Sequence, residues 1–176
     1  MGGRICLRID GRKMKTLLIM RHAKSSWSEP DLADFERPLN ERGLKTARFM
    51  GKLIAKQGFQ PSVLLCSPAV RASQTAILVK DGGGLNGEIR FDHRIYEASP
   101  HTLRQVVSEI DNLIETAMIV GHNPGIEGFI RYLTGNLEPM PTAGVAVIEL
   151  NIDKWNDIDD GFGEIQKVFR PKGEMK

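Results

Sequence analysis

Short apolar runs alternate along the chain with longer stretches whose apolar positions recur at helical spacing. Thr16–Met20, Val63–Cys66 and Ala117–Val120 are nearly continuous apolar segments of strand length, the pattern of strands covered on both faces. Gly144–Leu150 and Gly163–Phe169 read as two further strands, and Ile89–Phe91 as a short one. Between them, Asn40 caps a helix with an apolar stripe at Leu44, Ala47, Met50 and Ile54, and Gly58 ends it. Ser67-Pro68 predicts a second helix start, a hydroxyl cap followed by proline in the first turn, running to about Lys80 before Asp81-Gly82-Gly83-Gly84. Ser99-Pro100 repeats that signal ahead of Leu103, Val106, Val107 and Ile110, and Asn123-Pro124 opens a helix bearing Ile126, Phe129, Ile130 and Leu133. The alternation predicts a single-domain, three-layer α/β/α fold with a mostly parallel central sheet and helices on both faces.

Composition narrows the picture. A chain of 176 residues, 41% hydrophobic and 26% charged, suits one domain with a real core. Met14 followed by Lys15-Thr16-Leu17 looks like the domain start. The domain is therefore read as 14–172, and 1–13, with Arg4, Arg8, Arg12 and Lys13, as an extension expected to be flexible. That stretch lacks the apolar run of a secretory signal, and no run approaches the ~20 residues that span a bilayer. A cytoplasmic location without membrane attachment is expected. Twenty-four basic against 22 acidic residues, net +2, give no basic cluster of the kind nucleic acid requires. Two cysteines, Cys6 and Cys66, cannot build a disulfide framework or a four-thiolate zinc site.

The chemistry gathers at strand ends. The first strand runs into Arg21-His22, the second into Ser67-Pro68 with Arg71 in the next helix's first turn, and the third into Gly121-His122-Asn123-Pro124. If the three strands are parallel neighbours, two arginines and two histidines converge at the sheet edge where open α/β sheets bind ligands, with two helix N-termini aimed at the same spot. Such a pocket suits a phosphate or sulfate dianion. Arginine offers a planar fork to its oxygens, and a neutral imidazole nitrogen can attack phosphorus and carry the phosphoryl group. Neighbouring guanidinium groups oppose protonation of that ring. These residue types indicate phosphoryl transfer through a phosphohistidine, without saying which histidine attacks.

Arg21-His22-Ala23-Lys24-Ser25-Ser26-Trp27 resembles the opening motif of the histidine phosphatase (phosphoglycerate mutase-like) superfamily, in the form of its SixA-type phosphohistidine phosphatase branch. The similarity continues through Arg37-Pro38-Leu39-Asn40-Glu41-Arg42-Gly43, Ser67-Pro68-Ala69-Val70-Arg71-Ala72-Ser73-Gln74-Thr75-Ala76, Val120-Gly121-His122-Asn123-Pro124-Gly125 and Phe169-Arg170-Pro171-Lys172. The resemblance implies a phosphoglycerate mutase-like fold, His22 as nucleophile, and Arg21, Arg71 and His122 as the rest of the phosphate pocket, with no metal or other cofactor. Ser28 stands where mutases often carry an asparagine that contacts phosphate, and with Asn123 it is a candidate for substrate contact. Glu97, in Tyr96-Glu97-Ala98-Ser99, stands near the position of the acid that protonates the leaving group in mutases and sugar phosphatases. Mutase-like relatives carry a longer helical insertion before that acid. Its absence here implies an open pocket, suited to a phosphorylated protein side chain.

The expected activity is dephosphorylation of phosphohistidine on a signalling or phosphorelay protein. The alternatives are hydrolysis of small phosphate esters and, in another class, phosphoprotein binding without turnover. His93 and His101 lack a ligand-spaced partner, Gly82–Gly84 lacks the lysine of a phosphate-binding loop, and Trp27 reads equally as a pocket lip or a packed surface aromatic.

Overall fold

The computed structural model describes residues 14–175; the extension over 1–13, Cys6 included, lies outside them. Six strands form one sheet: β1 (Lys15–Arg21), β2 (Val63–Cys66), β3 (Glu88–Phe91), β4 (Thr116–Gly121), β5 (Val145–Leu150) and β6 (Gly163–Phe169). The order across the sheet is β3-β2-β4-β1-β5-β6. β3, β2, β4 and β1 run parallel, β5 runs against β1, and β6 runs against β5. β4, late in sequence, therefore sits between β2 and β1, so the carboxyl ends of all three predicted catalytic strands share one edge.

Helices α1 (Glu41–Lys56), α2 (Val70–Gly83), α3 (Pro100–Ser108) and α4 (Gly125–Thr134) cover the sheet, with a last turn, α5 (Pro171–Glu174), after β6. Strand alternation divides the core between the two faces. Leu17 and Ile19 of β1 join Leu103, Val107, Phe129 and Ile130 under α3 and α4. Leu18 and Met20 join Met50, Ile54, Ala76 and Val79 under α1 and α2. The three-layer, mostly parallel architecture is the one the apolar pattern predicts. No helix among the described residues is long and apolar enough to cross a membrane.

Two helix starts follow the capping chemistry: Asn40 accepts the Gly43 N–H at 2.8 Å, and Ser99 accepts that of Thr102 at 3.2 Å, with Pro100 in the first turn. Gly43 also lets α1 approach the loop after β1, since a Cβ there would lie 2.2 Å from the Lys24 carbonyl oxygen. The second start differs from expectation. Helix α2 begins at Val70, not at Ser67-Pro68, and its N-cap, Ala69, makes no side-chain cap bond. The Ser67 hydroxyl instead accepts the Ala69 N–H at 3.2 Å in a local turn and bonds the imidazole of His122 at 2.8 Å. A cap signal has been diverted to the strand-end cluster.

Candidate active site

The four predicted side chains meet at the carboxyl edge. Arg21 is the last residue of β1 and His22 follows it; Arg71 lies in the first turn of α2; His122 follows β4. Backbone bonds fix this arrangement. Arg21 donates its N–H to Gly144, His22 donates to Gly121, and Ala143 donates to both Arg21 and His22 carbonyls. Thr75 of α2 accepts the Ala23 N–H at 3.0 Å and donates to the Arg71 carbonyl at 2.6 Å, tying the loop after His22 to the helix that carries the arginine.

The two imidazoles lie with ring centroids 5.1 Å apart. His22 Nδ1 is 2.7 Å from the Ala23 carbonyl oxygen, which can only accept, so the hydrogen is on Nδ1 and the lone pair on Nε2. His122 Nε2 is 2.8 Å from Ser67 Oγ. The Ser67 oxygen accepts the Ala69 N–H and has a second lone pair, so both His122 tautomers fit this contact; the one in which Ser67 donates to Nε2 leaves the ring hydrogen on Nδ1.

Three buried side-chain nitrogens have no hydrogen-bond partner among the described residues: Arg21 Nε, Arg71 Nε and His122 Nδ1. Buried polar atoms are otherwise almost always paired, and here the exceptions belong to three of the four clustered residues. Guanidinium N–H groups held this way are able to donate to an anion. Among the described residues no group of three His, Cys, Asp or Glu is placed to hold a metal ion.

A sequence model of the histidine phosphatase superfamily (branch 1) matches residues 17–111, more than half of the chain. The chain belongs to that superfamily. An uncharacterized protein of Mycobacterium tuberculosis is 31% identical over 165 residues, 87% of this chain and all of that one. A structure from Agrobacterium tumefaciens, put forward as the phosphohistidine phosphatase SixA, superposes with a TM-score of 0.76 at 26% identity over 89% of this chain and 98% of that one. A protein histidine phosphatase SixA complexed with tungstate shares the fold, with a TM-score of 0.79 at 19% identity over 92% of this chain and 99% of that one. The protein is thus a phosphatase of the histidine type with SixA-like, phosphoglycerate mutase-like architecture.

Electrostatics in this histidine phosphatase keep both rings neutral. Burial, aided by the charges of Arg71, Arg21 and Arg37 and opposed by the Ala23 bond, lowers the His22 pKa to about 4. Burial, followed by the neighbouring His22 and Arg71, lowers that of His122 to about 3. Each ring binds fewer protons folded than unfolded below its ordinary value of 6.5, so acid favours the unfolded chain. Stability is expected to fall as pH drops from about 6.5 toward 4, and the upper part of that window, above about pH 5, is clear of the range where most carboxylates titrate. Urea unfolding at steps across that window checks this, and His122→Ala should flatten the dependence.

The remaining candidates are distributed differently. Asn123 donates to Glu127 Oε1 at 2.8 Å and to the Met140 carbonyl at 3.2 Å, the same carbonyl that accepts Arg21 Nη1 at 3.0 Å. It supports Arg21 from behind. Ser28 is exposed, its hydroxyl 2.8 Å from that of Ser26, and no contact joins it to the four. Glu97 is exposed and makes no hydrogen bond among the described residues, yet it has φ +53, a left-handed conformation costly for a residue with a Cβ. The α4 start offers little to an anion, because the N–H groups of Ile126, Glu127 and Gly128 are taken by His122 O, Asn123 Oδ1 and Pro124 O. Those of Val70 and Arg71 in α2 have no hydrogen-bond partner among the described residues. Between Arg71 and Glu97 the chain forms only the rest of α2, β3 and a three-residue 3-10 turn, His93–Ile95, with no further α-helix.

Sequence reasoning missed a second tier. Asp34, Arg37 and Tyr96 form one cluster with Arg71: Tyr96 donates to Asp34 Oδ2 at 2.6 Å, Arg71 to the same oxygen at 2.9 Å, and Arg37 to Oδ1 at 3.1 Å. Arg37 is buried, bonds Ser25 Oγ at 2.8 Å, and lies 3.6 Å from the ring centroid of the exposed Trp27. Trp27 therefore lies over a buried cation. His93 stacks on Phe35 and His101 meets Tyr132 edge-on, both outside the cluster of four.

Proposed function

We propose that this histidine phosphatase hydrolyses phosphohistidine on a signalling or phosphorelay protein in two in-line transfers, without a metal ion. The observation that carries the reading is the set of three unpaired buried nitrogens, Arg21 Nε, Arg71 Nε and His122 Nδ1, beside an imidazole whose Nε2 lone pair is free. In the first transfer His22 Nε2 attacks phosphorus as the bond to the leaving nitrogen breaks, and Arg21, Arg71 and His122 hold the oxygens. In the second, water attacks the phosphorus, the bond to His22 breaks, and inorganic phosphate leaves with the water's oxygen. Donors fixed before the reaction stabilise the spreading charge without reorganising, which is where such a site gains most of its rate. The SixA likeness supports the phosphohistidine substrate, and the lack of a covering helix between Arg71 and Glu97 suits a side chain presented by a protein.

One observation favours a second reading, hydrolysis of small phosphate esters. Glu97 is held in a left-handed conformation immediately after Tyr96, whose ring meets His122 edge-on at 5.4 Å. An alkoxide leaving group needs a proton donor, whereas a departing imidazole needs little help. Glu97→Gln should therefore slow sugar and alkyl phosphate hydrolysis by about 10²-fold or more while leaving phosphohistidine hydrolysis within a few-fold. Equal losses would remove Glu97 from the acid role. A steady-state panel of a phosphohistidine protein against sugar and aryl phosphates, run with a strong chelator throughout, decides between the readings; preference for the small esters, or loss of activity to the chelator, counts against the first.

A further inference from the structure

Asp34 lies in a single 3-10 turn, Asp34–Glu36, on the loop between β1 and α1, and its side chain is about half exposed. An exposed carboxylate is ordinarily free to move. This one accepts from three different side chains. Oδ2 takes Tyr96 Oη at 2.6 Å and Arg71 Nη2 at 2.9 Å, while Oδ1 takes Arg37 Nη2 at 3.1 Å and Nε at 3.3 Å. Its backbone carbonyl also accepts Arg71 Nη1 at 2.6 Å.

The consequence for Arg71 is geometric. A guanidinium has two edges that can hold a planar pair of acceptors, one formed by the two terminal nitrogens and one by Nε with a terminal nitrogen. Residue 34 occupies the first edge through its carbonyl and carboxylate. The second edge keeps Nε, which is buried and without a partner. Through the Tyr96 hydroxyl the same carboxylate also restrains the ring that meets His122 edge-on. Tyr96, then Arg71 and Arg37, hold the Asp34 carboxyl well below the usual carboxylate range, so it stays charged throughout this role.

We infer that Asp34 is a positioning residue for the anion site, clamping the outer edge of the Arg71 guanidinium and the Tyr96 hydroxyl so that Arg71 Nε and His122 Nδ1 face one phosphoryl group together. The inference rests on the phosphoryl-transfer reading above. It differs from the reverse arrangement, in which Asp34 is an internal anion that a substrate must displace, and the two give opposite signs. Losing a clamp weakens phosphate binding, whereas losing a competitor strengthens it.

The test measures inorganic phosphate affinity by calorimetry, aryl phosphate turnover and thermal midpoint for the wild-type chain, Asp34→Ala, Asp34→Asn and Glu36→Ala. Asp34→Ala keeps the backbone acceptor and should weaken phosphate binding and lower kcat/KM by about ten- to a hundredfold, the size of one charge-assisted hydrogen bond. Its midpoint should stay within a few degrees of wild type, as expected for a half-exposed side chain. Asp34→Asn retains one acceptor oxygen and should fall between. Glu36→Ala, an exposed carboxylate on the same turn, should match wild type and exclude a general effect of charge. Unchanged or tighter phosphate binding in Asp34→Ala overturns the inference alone. A wild-type chain that neither binds phosphate nor turns over aryl phosphate overturns the phosphoryl-transfer reading and the inference with it.

Discussion

His22→Ala protein is expected to release no phosphate above background and to carry no acid-labile radiolabel after mixing with a labelled phosphohistidine protein. The wild type, quenched in alkali within its first turnovers, should carry label that acid removes and base does not. The loss in kcat should be on the order of 10⁶-fold, the scale on which removing a covalent nucleophile acts. The Ala23 carbonyl holds the hydrogen on Nδ1, burial keeps the ring neutral down to about pH 4, and no other imidazole has both a free lone pair defined by a carbonyl and three unpaired donors around it. Label retained on His22→Ala would move the nucleophile elsewhere, His122 first, since its ring centroid is only 5.1 Å away.

Arg71→Gln should cost 10²- to 10³-fold, roughly, in the rate of phosphorylation measured in a single turnover, the range for removing a preorganised donor to developing charge. Arg71→Lys is the sharper variant. Lysine restores the charge as a point and cannot occupy the Asp34 edge and offer an Nε donor at once, so it should recover little of the loss. The fold should survive both changes, because Asp34 keeps Tyr96 and Arg37 as partners. A lysine variant equal to wild type would mean that charge alone, without the fork, serves the site.

The four clustered residues were legible in the chain because each ends a buried strand, directly follows one, or lies about one turn beyond it. Apolar runs such as Val63–Cys66 and Ala117–Val120 locate those ends without knowledge of the strand order. What local pattern could not supply was the use made of a residue by partners far away in sequence. Ser67 carries a cap signal, and only its contact with His122, 55 positions on, explains why the helix starts later. Asp34 and Arg37 stand in a polar loop that reads as solvated, and the use of Asp34 depends on Arg71 and Tyr96, 37 and 62 positions distant. Ser28 illustrates the opposite case, since its chain position resembles a mutase contact while its hydroxyl turns to Ser26 on the exposed loop. Glu97 was found by resemblance, but its left-handed backbone has no signature in a residue type that avoids φ > 0.

The strand order has a consequence for biosynthesis. A nascent chain that has left the ribosome only as far as α3 already contains His22 and Arg71, but not the strand that separates β1 from β2 in the sheet. That spacer, β4, brings His122 with it, and the Ala143 and Gly144 contacts that brace the Arg21–His22 backbone come later still. On the proposed reading, a chain truncated before residue 116 lacks both that spacer and His122 and is expected to release no phosphate.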